Sequence, residues 1–156
     1  MKLKLISSGL IAFALTLAPA GLNADTPGRH PAYLRARSDL RVSQFLLRVR
    51  EEPNVTRHLR QADREVDAAI REIDRAAILD RKDLDDRPRV DTSLDRRGRF
   101  EKIVSLLRSA RADLAREEDN GRARGWRDAA YRHIDGALEA MHRASIDQHW
   151  DHFFGF

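Results

Sequence analysis

The sequence contains no cysteine. That absence removes a disulfide framework, thiolate zinc sites, iron–sulfur clusters, c-type haem attachment and a cysteine nucleophile at once. Lysine is almost missing too, since only Lys2, Lys4, Lys82 and Lys102 stand among the 29 basic residues and the rest are arginine. Aromatic residues make up 6% of the chain, and no basic block is interleaved with them, which argues against a nucleic-acid partner. There is no glycine-rich phosphate loop and no serine in a nucleophile-elbow setting. No apolar run reaches the roughly 20 residues that a membrane span needs.

What is present begins with a targeting segment. Lys2 and Lys4 form a basic leader, an apolar run follows from Leu5 to Ala18, and Ala18-Pro19-Ala20 puts small residues where a signal peptidase reads, with Ala24 as a second choice. Residues 1–24 are therefore expected to be a signal peptide and residues 25–156 a single domain, periplasmic or secreted, with no stable membrane insertion after cleavage. Losing Lys2 and Lys4 leaves 27 basic against 25 acidic residues. Arginine in such numbers suits phosphate recognition. Here acidic residues alternate with it, which reads as a surface laced with salt bridges.

The dominant period beyond the leader is helical. Tyr33, Ala36, Leu40, Ser43 and Leu47 recur at spacings of three and four, as do Leu59, Ala62, Val66, Ala69, Ile70, Ile73 and Ala77. Phe100, Ile103, Leu107, Ala110 and Leu114 repeat the pattern, and so do Ala130, Ile134, Ala137, Leu138, Met141 and Ser145. Four amphipathic helices predict an all-α fold, an antiparallel four-helix bundle. Pro31 suits a first helical turn, Asn54 and Asn120 are candidate N-caps, and the aperiodic stretch from Asp80 to Asp95 reads as a crossover linker. That stretch lacks the spacing and the glycine of a calcium loop.

The two halves align with a period near 67 residues. Tyr33–Ser43 matches Phe100–Ala110, EEPN at 51–54 matches EEDN at 117–120, and Glu65–Asp74 matches His133–His142. Two similar helical hairpins are the expectation. The segments HPAYLRARSDLR, REEDN and HIDGAL together resemble an uncharacterised family of small exported bacterial helical proteins, and the resemblance implies no activity.

Helical-wheel geometry at 100° per residue places charges on the flanks of the apolar stripes. With Leu40, Val66, Leu107 and Ile134 as stripe centres, Arg41, Asp67, Arg108 and Asp135 fall on one flank. Asp39, Glu65, Leu106 and His133 fall on the other. If the first flank lies inside each hairpin, Arg41 is expected to meet Asp67, Arg108 to meet Asp135, and His133 to face Asp39 between hairpins. The opposite handedness sets Asp39 against Glu65, which is repulsive. The first arrangement is preferred, with the pairs as structural ion pairs that fix register.

Histidine supplies the only candidate chemistry. Glu139-x-x-His142 has the spacing of di-iron bundles, but the equivalent of His142 is Asp74 and the equivalent of Glu139 is Arg71, so the second motif is missing. Helices alternating up and down would bring His30 to the end that holds His142, His149 and His152, a set suited to zinc, copper or nickel if the last helix continues. Haem is a weaker fit, because His133 and Met141 share one helix and do not bracket an iron. The tail also carries Trp150, Phe153, Phe154 and Phe156, either to cap the bundle or to form a homodimer. The expected function is a non-catalytic binding or structural role, with no cofactor and with an unknown protein or small ligand as partner. The alternative is a bundle that binds a divalent transition metal or haem.

Overall fold

The computed structural model describes residues 31–79, 88–116, 121 and 123–149. The leader, His30, Asn120, His152 and the four tail aromatics lie outside the described residues. The chain forms helices α1 (Pro31–Leu47), α2 (Pro53–Leu79), α3 (Arg96–Ala115) and α4 (Arg124–Asp147), and the described residues include no strand. Each apolar stripe becomes a buried face, and Tyr33, Leu40, Leu59, Val66, Phe100, Leu107, Ile134 and Met141 are within one core. Ile70 and Leu138, at the stripe edges, are only partly covered. Two serines are also buried, and each satisfies its hydroxyl on its own helix: Ser43 donates to Asp39 O at 3.0 Å and Ser145 to His142 O at 2.7 Å.

Local chemistry sets the helix ends. Asp95 caps α3 by accepting from the Gly98 amide at 2.7 Å. α2 starts at Pro53, one residue before the expected cap Asn54, because proline suits the first helical turn. Thr56 ties this turn to the helix: its amide donates to Glu52 O at 2.7 Å, its hydroxyl donates to Glu51 O at 2.7 Å, and Thr56 Oγ1 accepts from the Glu51 amide at 3.2 Å.

Side-chain pairs give the direction of each helix. Arg37, Gln44 and Arg48 meet Asp74, Asp67 and Asp63, so α2 runs back along α1. Likewise Arg35 near the start of α1 meets Asp113 near the end of α3, and His58 near the start of α2 meets Asp147 at the end of α4. α1 packs on α2 and α3, and α4 packs on α2 and α3, with the α2–α4 seam the most extensive. Sequential neighbours were expected, with α1 beside α4. Arg96 at the start of α3 bonds Glu52 at the start of α2, so α3 begins at the same end of the bundle as α2.

α2 has 27 residues against 17 in α1, and the excess lies at its start. Arg48, just past α1, already stands opposite Asp63, about three turns into α2. The connecting residues 48–52 therefore run up beside those first turns before Pro53 reverses the chain.

Candidate functional site

One end of the bundle gathers the end of α1, the starts of α2 and α3, and the end of α4. Glu51, its side chain only 2% exposed, holds two guanidiniums of α3: Arg99 and, at 2.9 Å, Arg96. Arg96 also donates to Glu52 at 2.9 Å and to Gln148 at 3.3 Å, and Gln148 donates to Glu52 at 3.2 Å. His58 Nε2 stands 3.4 Å from Asp147 Oδ2, with its Nδ1 buried. Burial lowers the Arg99 pKa, while the Glu52 carboxyl is held below its ordinary value by its own backbone N–H and then by Arg96. Both acidic residues of the turn are fully engaged.

The expected ion pairs form with different partners. Asp67 accepts from Gln44 at 3.3 Å and pairs with Arg71 on its own helix, in place of Arg41. Asp135 accepts from Arg111 at 2.6 Å, in place of Arg108, and Arg111 also lies over the Tyr131 ring at 5.2 Å. Both expectations miss by three residues, one helical turn, because the start of α2 overhangs α1 and the hairpin is not symmetric about its turn. His133 meets Glu65 at 2.8 Å on α2, not Asp39, because α4 lies beside α2. Gly136 leaves room for that Glu65 side chain, whose carboxyl carbon would be 3.2 Å from an added Cβ. Asp39 faces α3 instead, where Ser109 hydrogen-bonds it and Asp113 stands nearby. Burial is the main cause of its raised pKa.

Of the expected histidine set, only His142 and His149 fall among the described residues. α1, which His30 immediately precedes, starts beside the end of α3, whereas the end of α4 sits at the start of α3. The length of α3, about 30 Å, separates the two. His142 is half-buried on α4. The helix does not continue to His149, which is exposed with φ 59°, its amide donating to Ile146 O at 2.9 Å. The histidine that does join this end is His58. Among the described residues no group of three or more His, Asp or Glu side chains is placed to hold a metal ion.

Beside the knot of charges lies a cleft of about 530 Å³ between residues 48–50 and the first turns of α2. Arg48, Arg50 and Arg60 line it together with Asp63, over an apolar wall that includes Val49 and Leu59. A second hollow, of about 350 Å³, is lined by Val42, Leu46, Arg89, Asp91, Leu94 and Lys102. Phe45 and Val49 stand exposed beside it, at 52% and 40%. No helix of the described residues is long and apolar enough to cross a membrane.

Comparison of the chain with protein-family models, with curated proteins and with solved structures finds no match. Several residues of this end escaped the sequence reading. Glu51 and Glu52 read only as a turn, since nothing local shows that α3 returns to them. Glu65 and His133 did share a flank of their stripes, and only the assumed order of helices kept them apart.

Proposed function

We propose that this chain is an exported, non-catalytic binding protein of the bacterial envelope, an antiparallel four-helix bundle released by cleavage after Ala20 or Ala24. Its binding surface is the end of the bundle that carries Phe45, Val49 and the first turns of α2. One observation carries this reading. Among the described residues Arg50, Arg57, Arg60 and Arg64 form no ion pair, although α2 itself matches Arg71 with Asp67 and Arg75 with Glu72. Unmatched guanidiniums beside exposed apolar side chains suit a partner that is both anionic and apolar.

Two measurements test it. N-terminal sequencing of a periplasmic extract should find Gly21 or Asp25 first, and recovery of uncleaved chain alone contradicts export. A photo-crosslinking residue at Phe45 or Val49 should form adducts in the envelope fraction. The same residue at Ile78, exposed near the far end of α2, should form none. Equal yields at all three positions contradict a binding end.

A further inference from the structure

We infer that the cleft between residues 48–50 and the first three turns of α2 binds a phosphate group, carried as a phosphomonoester or a diphosphate. The inference rests on the reading of this end as the binding surface and names its ligand chemistry. Charge balance is the first argument. Arg48, Arg50 and Arg60 line the cleft, and Asp63 is the one carboxylate among the lining residues, 3.4 Å from Arg48. Glu51 and Glu52 are the nearest acidic residues in the chain, and Arg96 and Arg99 already hold them. Three guanidiniums against one carboxylate leave a site matched to a dianion.

The second argument is that the cations are set against each other. Arg57, Arg60 and Arg64 fall within about 60° of one another on the outer face of α2, so each has a like charge one turn away. Like charges at that spacing destabilise a helix, and cations near its first turns oppose the helix dipole. Farther along α2 Arg71 and Arg75 are matched with Asp67 and Glu72, whereas among the described residues Arg57, Arg60 and Arg64 form no ion pair. A bound dianion would relieve that crowding.

Geometry and medium agree with the charge. The guanidinium fork matches two phosphate oxygens at once, which an ammonium does not, and all three cations lining the cleft are arginine. Leu47, Val49 and Leu59 form an apolar wall that keeps water from one side of the site. The overhang of α2 beyond α1 forms this cleft, and Arg50 of the connecting residues and Arg60 of α2 both line it.

The test titrates the full chain with sodium pyrophosphate at constant ionic strength, and in parallel with vesicles of phosphatidylcholine containing phosphatidic acid. Saturable binding with one site, weakened by added salt, is expected in at least one arm. A response to pyrophosphate assigns a soluble phosphate, and a response to vesicles alone assigns a lipid headgroup. Arg50→Gln with Arg60→Gln should weaken binding about tenfold or more. Arg124→Gln with Arg132→Gln, at exposed arginines of α4 that also lack ion pairs, should change it less than about twofold. All four positions are exposed, so both variants should fold, which melting curves check. Unsaturable responses no larger than those to chloride in both arms, or equal loss in the two variants, overturn the inference. Adducts at Phe45 without phosphate binding would leave the binding end standing and reject only the ligand class.

Discussion

Arg111 on α3 donates to Asp135 on α4 at the place in the second hairpin that Gln44 and Asp67 occupy in the first. Gln44 and Arg111 are 67 positions apart, the period of the sequence repeat. The register of these two contacts thus follows the sequence repeat. Both side chains of the Arg111–Asp135 pair are about half exposed, so water competes for them. Asp135→Ala is expected to lower stability by less than about 1 kcal/mol in a denaturant melt. A loss of several kcal/mol would show that the pair is far better shielded than its exposure says.

Arg37 is the contrasting case. It is 7% exposed and donates to Asp74 at 2.5 Å across the α1–α2 seam. Asp74→Ala strands a buried guanidinium, which should cost about 2–4 kcal/mol by the same measurement. Asp74→Asn keeps an acceptor and should cost less. Equal, small losses in both variants would mean that Arg37 swings out to water.

How much of this was legible beforehand divides along the chain's own logic. The four helices and their buried faces were readable, because periodicity and punctuation are local. Ion-pair partners and helix neighbours were not. The overhang at Pro53 shifted the register by a turn, and the return of α3 to Glu51 depends on where the linker leads. The end at which His149 sits likewise follows from helix order, which no local pattern records.

His149 holds a left-handed conformation just past the end of α4, where glycine is usual because a Cβ crowds the following carbonyl. His149→Gly is expected to raise stability by about 0.5–1 kcal/mol. A thermal melt decides it, and a loss would mean that the imidazole makes a contact worth more than the strain.

Asp39 gives the fold a pH dependence with a definite sign. Burial chiefly, and then the nearby Asp113, raise its pKa above the ordinary value, so the native state holds the proton more tightly than the unfolded chain. Its contribution to stability falls as pH rises through the carboxylate range toward the raised value, and stays lower above it. Asp39→Asn should remove that slope and leave stability at neutral pH equal or higher. Denaturant melts across that range test it, and a variant that is weaker at neutral pH contradicts the assignment.

Everything said of the binding end depends on which helix ends share it. Since the chain has no cysteine, two introduced ones can be spin-labelled without interference, and pulsed electron resonance then reads their separation. Labels at Arg57 and His149 should lie within about 20 Å, and labels at Arg35 and His149 about 30 Å or more apart, roughly the length of α3. If α1 instead lies beside α4 in a strictly sequential bundle, the two distances exchange. A short Arg35–His149 distance with a long Arg57–His149 distance would dismantle the end described here and restore the histidine cluster in its place.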